Sequence, residues 1–132
     1  MNHQLTVVVY PEAYAICRLG PDAPVPSWAA HARFLSITRT ESELSIVCEE
    51  QPVPADVHAE RDRRLMHVEG TLAFALTGVL ASLAGPLATA GISVFAVSTY
   101  DTDYLLVSNE NLQEATEVLE TAGHAVRQFL GQ

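Results

Sequence analysis

The feature that most constrains this chain is the succession of hydrophobic periods between residues 65 and 130. Residues 65–69 read as a strand and residues 77–90 as a helix, with Val79, Leu83 and Leu87 at i, i+4 and i+8 and Leu80 beside them. Residues 92–98 and 103–108 read as two apolar strands, residues 111–122 as an amphipathic helix and residues 125–130 as a last strand. Residues 70–76 are read as a connecting loop. The order is β-α-β-β-α-β, the ferredoxin-like split arrangement, in which two helices cover one face of an antiparallel sheet. Gly91 and Gly123 follow the two helices where C′ residues are expected, and Asn109 or Asn111 caps the start of the second. Pro86 falls inside the first helix and removes the bond to the Ser82 carbonyl, so a kink is expected there.

The first half is less regular. Residues 5–9 and 13–19 read as short strands joined by a turn at Tyr10-Pro11-Glu12, and residues 34–40 and 44–49 as two more. Residues 20–26 hold three prolines and a glycine, which excludes regular structure. Ser27 could cap about one helical turn over residues 27–31. Residues 51–63 are polar, contain two prolines and read as a linker. The expected division is therefore residues 1–62 and residues 63–132. At 132 residues the chain is one compact unit, or two very small ones sharing a core.

Charge excludes some functions. Sixteen acidic residues against seven basic ones leave −9, and every basic residue is an arginine. Such a surface repels phosphate backbones, so nucleic-acid binding is not expected. No apolar run approaches the roughly 20 residues that span a bilayer, and no signal peptide is recognised at the start, so a cytoplasmic protein is expected. Cys17 and Cys48 sit separately in apolar runs and read as small buried hydrophobes. The five histidines fall in separate segments without metal-ligand spacing, and no nucleophile elbow, Walker loop or dinucleotide fingerprint occurs, so neither a metal nor a cofactor is expected. Glu69, with His67 two residues earlier, could be a buried acid of raised pKa acting as a general base, or a strand-end carboxylate paired locally.

Binding chemistry gathers instead around residues 77–80 and 98–103. Free backbone N–H groups around Thr77, Gly78 and Val79 at a helix start suit an anion, and Gly78 permits close approach. Asp101 and Asp103, in the polar connection between two apolar strands, could accept from an ammonium. Phe74, Val79 and Tyr100 could line a side-chain pocket. Each has a plainer reading: Asp101 and Asp103 as turn residues, Thr77 as an N-cap, Gly78 as a packing glycine, Tyr100 and Tyr104 as core or interface aromatics.

Several segments together resemble the ACT domains, in particular the tandem ACT-like group that includes small bacterial proteins and the CASTOR arginine sensors. They are Phe34-Leu35-Ser36-Ile37-Thr38-Arg39-Thr40, Leu44-Ser45-Ile46-Val47, Val68-Glu69-Gly70, Leu76-Thr77-Gly78-Val79-Leu80-Ala81-Ser82-Leu83, Ala90-Gly91-Ile92-Ser93 and Ser98-Thr99-Tyr100-Asp101-Thr102-Asp103. The helix–Gly–strand–Ser-Thr–strand pattern is also similar to the ACT domains of aspartate kinases, although the segment before the first helix lacks their Asp or Asn and Pro-Gly pair.

The resemblance implies an α+β chain of two tandem ACT-like units, the first degenerate. It implies a non-catalytic regulatory module that binds a small molecule, usually an amino acid, between ACT units. The implied ligand residues are Leu76, Thr77, Gly78, Val79, Leu80, Thr99, Tyr100, Asp101, Thr102 and Asp103, with Ser36 and Ile37 from the facing strand of the other unit. A homodimer is expected, because exposed sheet edges in such small units are usually paired. The alternative is a protein-interaction module without a small ligand.

Overall fold

The computed structural model describes residues 4–30, 32–69 and 78–131. Among these residues seven strands and two α-helices follow in the order β1 (Thr6–Leu19), β2 (Ser36–Arg39), β3 (Leu44–Glu49), β4 (Ala59–Val68), α1 (Val79–Thr89), β5 (Phe95–Ser98), β6 (Asp103–Ser108), α2 (Leu112–Thr121) and β7 (Ala125–Gln128). They form two compact units: Glu12–Arg63, and Met1–Pro11 together with Arg64–Gln132. This differs from the expected division, because the first eleven residues group with the C-terminal segment.

In the C-terminal unit the expected β-α-β-β-α-β order is present as β4-α1-β5-β6-α2-β7. Its sheet holds a fifth strand. The N-terminal half of β1 lies next to β4 and pairs in parallel with β7, from Thr6 opposite Ala125 to Val9 opposite Gln128. β1 thus stands between the strands that open and close the split unit, giving the order β7-β1-β4-β6-β5. Alternation along β1 explains the insertion: Val7 and Val9 enter the core with Met66, Val68, Leu83, Leu87, Leu105, Val107, Ala115 and Leu119.

The expected turn at Tyr10-Pro11-Glu12 is not formed; β1 runs straight through it. Pro11 has no N–H to give a ladder, and it sits where none is needed on that edge. The ladder to β7 ends at Val9 and the ladder to β3 begins at Tyr14.

The unit Glu12–Arg63 orders its strands β2-β3-β1-β4. Its core is Ala15, Cys17, Ala29, Leu44, Ile46, Cys48 and Val53. The two cysteines are buried and unoxidised, as small hydrophobes. The thiol of Cys48 is pushed up by its hydrogen bond to Cys17 and by burial. Two expectations fail here. Residues 27–29 make only a turn, closed by Ala29 N–H to the Pro26 carbonyl at 3.1 Å. β4 begins at Ala59, inside the expected linker, because Arg18 N–H takes the His58 carbonyl at 3.0 Å and the strand forms despite its polar sequence.

Both helices end alike. Gly91 (φ 79°) and Gly123 (φ 102°) are C′ residues in the left-handed region. Ile92 N–H bonds the Leu87 carbonyl and His124 N–H the Leu119 carbonyl, the six-to-one bonds of a Schellman motif. These turns bury Ile92 and His124 beside α1.

His124 answers the problem that Pro86 creates. Without a proline N–H, the Ser82 carbonyl has no partner four residues on. His124 Nε2 lies 3.0 Å from that carbonyl, and His124 Nδ1 accepts the Leu5 N–H at 3.1 Å. An amide can only donate and a carbonyl only accept, so the ring is the neutral tautomer with its proton on Nε2. Replacing His124 by Ala strands a carbonyl and an amide and should cost about 2–4 kcal/mol. Pro86→Ala restores an N–H to Ser82, so urea denaturation of the double variant should show a smaller cost for His124→Ala than in the parent. Additive costs would refute the account.

Candidate functional site

Topology brings two of the expected site segments to one end of the C-terminal unit. α1 runs back from the end of β4, and β5 returns to that end, where residues 99–102 turn the chain into β6. Thr102 fastens this turn: its Oγ1 donates to the Val68 carbonyl, the last residue of β4, at 2.8 Å. Within the turn Thr99 N–H donates to the Thr102 carbonyl at 2.8 Å, and Thr102 N–H to Thr99 Oγ1 at 3.3 Å. Ser98 Oγ donates to Asp103 Oδ1 at 2.6 Å, closing the hairpin across its first residue pair.

The expected residues therefore separate into framework and surface. Thr102 is 6% exposed, and Val79, at 5%, is part of the core. Leu80 packs against the same core. Asp103 is half-buried and engaged by Ser98, while Thr99, Tyr100 and Asp101 face solvent. Tyr100 is exposed, which excludes the reading of it as a core aromatic. Ser36 and Ile37 lie on β2 of the other unit, Ser36 half-buried and Ile37 exposed. Leu76, Thr77 and Phe74, with the expected loop over residues 70–76, lie outside the described residues.

α1 opens at Gly78, which takes φ 79° and makes no side-chain cap. Its first helical bond runs from Ser82 N–H to the Gly78 carbonyl at 2.8 Å. The amides of Val79, Leu80 and Ala81 thus precede the helical ladder, and no acidic side chain stands in the first turn. Among the described residues no side chain offsets the positive character of that end of the helix. A carboxylate suits it, and the Asp101 and Asp103 carboxylates at the same end of the sheet suit an ammonium.

A second cluster, on the sheet face away from the helices, was not foreseen as a unit. His67 stacks on Tyr104 with ring centroids 4.8 Å apart, and its Nδ1 lies 3.3 Å from the Tyr10 hydroxyl. Tyr10 in turn packs on Phe129 at 4.9 Å. Four segments distant in sequence supply these rings, so no local spacing could reveal them. Beside them Glu69 pairs with Arg127 at 2.5 Å. The arginine lowers the Glu69 pKa, which overturns the reading of Glu69 as a buried acid of raised pKa. The carboxylate is ion-paired and largely solvated. Burial lowers the His67 pKa, with Glu69 opposing. No group of three or more His, Cys, Asp or Glu poised to hold a metal occurs among the described residues.

A family model for the ACT domain matches residues 58–121, and a second model, for an N-terminal domain, matches residues 12–56. A protein of Agobacterium tumefaciens solved by X-ray crystallography is 36% identical, covers 98% of this chain and 97% of its own, and superposes with a TM-score of 0.92. Residues 58–121 of the chain are an ACT domain. The human cytosolic arginine sensor for mTORC1 subunit 1 is 30% identical over 95 residues, 66% of this chain. The chain spans 29% of the length of that relative. The regulatory subunit of aspartate kinase from Thermus flavus is 13% identical, with a TM-score of 0.62 over 91% of this chain and 99% of its own, a likeness of fold.

Two outcomes follow from the site's chemistry. Thr102→Val keeps the volume but strands the Val68 carbonyl, and thermal denaturation should register a loss of about 1–3 kcal/mol. For His67 the native pKa lies below the unfolded one, so above pH 6.5 both states are neutral there and its contribution is flat. As pH falls through about 6.5 the unfolded chain gains a proton that the native ring resists, and stability drops until the native pKa is passed. The stability difference between the parent and His67→Gln, measured by urea denaturation from pH 7.5 to 5, should therefore shift toward the variant as pH falls. A pH-independent difference would contradict it.

Proposed function

We propose that this chain is a non-catalytic regulatory ACT protein that binds a free amino acid at the end of its C-terminal unit. The observation that carries the reading is the pairing of complementary charges there. An α1 start with no side-chain cap and no first-turn acid shares one end of the sheet with the carboxylate-bearing turn of residues 99–103. The ligand carboxylate would take the amides of Val79, Leu80 and Ala81, and its ammonium Asp101 and Asp103. Tyr100 would lie against the ligand side chain. Leu76, Thr77 and Gly78 would be further ligand residues, and Thr99 and Thr102 would hold the turn in shape.

The name of the human relative, an arginine sensor, supports an amino acid as the ligand class. An acidic turn also suits a cationic side chain. In this reading the unit Glu12–Arg63 acts as a degenerate ACT-like partner, with Ser36 and Ile37 of β2 offered toward a ligand held between ACT units, within one chain or across a cytoplasmic homodimer.

Melting measured with each of the twenty amino acids tests this. A true ligand at 100 times its dissociation constant should stabilise by about 2.7 kcal/mol, a rise of several degrees for a domain of this size. Asp101→Asn with Asp103→Asn should remove most of the rise while leaving the ligand-free melting temperature within a few degrees. No rise with any amino acid, or one that survives the double substitution, would overturn the assignment.

A further inference from the structure

The helical face of the C-terminal unit holds a surface that the ligand reading leaves unused. α1 carries no charged residue anywhere from Val79 to Thr89. Its outward positions Ala81, Gly85 and Ala88 are exposed and small. A surface helix ordinarily turns charged and polar side chains to water. Between this helix and α2 runs an open groove of about 640 Å³. Pro86, Ala90, Val118 and Ala122 give it apolar lining, and Glu114 and Glu117 stand on its α2 side. These two are one helical turn apart, and α2 places no basic residue against them.

Charge complementarity selects the occupant. The chain has no lysine, and each of its seven arginines makes a hydrogen bond or ion pair within its own unit. Arg33, Arg63 and Arg127 are paired with Glu12, Glu60 and Glu69. Arg18, Arg39, Arg61 and Arg64 donate to the backbone carbonyls of Ser42, Pro21, Pro54 and Tyr10, among others. A second copy, itself at −9, would meet Glu114 and Glu117 with net repulsion. We infer that the α1–α2 groove docks an amphipathic basic segment of a different protein, apolar side in the groove and Lys or Arg against Glu114 and Glu117. Helix-in-groove recognition has this form, with anchors spaced at i, i+3 and i+4.

Nuclear magnetic resonance titration of the full chain with an end-capped amphipathic leucine–lysine helical peptide tests the inference; the same peptide with glutamate for lysine is the control. Amide shifts should centre on Thr89, Ala90, Val118, Thr121 and Ala122, and the control should not bind. Glu114→Gln with Glu117→Gln, both on exposed helix positions, should weaken binding about fivefold without changing the melting temperature. Shifts centred instead on the acidic positions Glu49 and Glu50, or unchanged affinity in the double variant, would overturn it. So would sedimentation showing that the chain self-associates and that the double variant abolishes this, since the occupant would then be a second copy.

Discussion

The C-terminal unit depends on the N-terminal half of β1. A β-α-β-β-α-β unit closes its sheet by setting its last strand beside its first; here β1 occupies that place and β7 pairs with it in parallel. Ala125 N–H reaches the Leu5 carbonyl at 2.9 Å, Phe129 N–H the Val9 carbonyl at 2.8 Å, and Glu69 N–H the Thr6 carbonyl at 2.9 Å. Val7 and Val9 are essentially inaccessible in the core beneath the helices. Burying two valines is worth about 3–6 kcal/mol before entropy is counted, a large share of the net stability of a small domain.

The same placement organises what surrounds it. Leu5, just ahead of β1, gives its amide to His124, and His124 satisfies the Ser82 carbonyl that Pro86 leaves over. The chain start, the α2–β7 corner and the middle of α1 are thereby joined through one neutral imidazole. Tyr10, at the other end of this half-strand, brings the sheet-face rings of His67 and Phe129 together. At the end of β4, Thr102 sets the acidic turn.

Much of this was legible in the sequence. Periods of 3.6 and 2 identified both helices and the β5–β6 pair, and Gly91 and Gly123 marked the helix ends, because those signals are local. Pro86 announced a free carbonyl; its partner, forty-two residues away in sequence, could not be read. Pro11 misled: a proline between two apolar runs usually marks a turn, but here it falls between two ladders on a continuous strand. The polar start of β4 misled for the complementary reason, since strand pairing overrode composition. At the candidate site, the turn carboxylates were visible as residues. What the sequence did not separate was Thr102 and Val79, which are framework, from Tyr100 and Asp101, which face outward.

Native-state hydrogen exchange of the β1 amides tests most directly whether β1 is integral to the C-terminal unit. If it is, the amides of Val7 and Val9 should exchange only through global unfolding, with the same free energy as those of Leu105 and Val107 in β6. Exchange of β1 by separate opening, several kcal/mol below that of β6, would show that the unit closes without it.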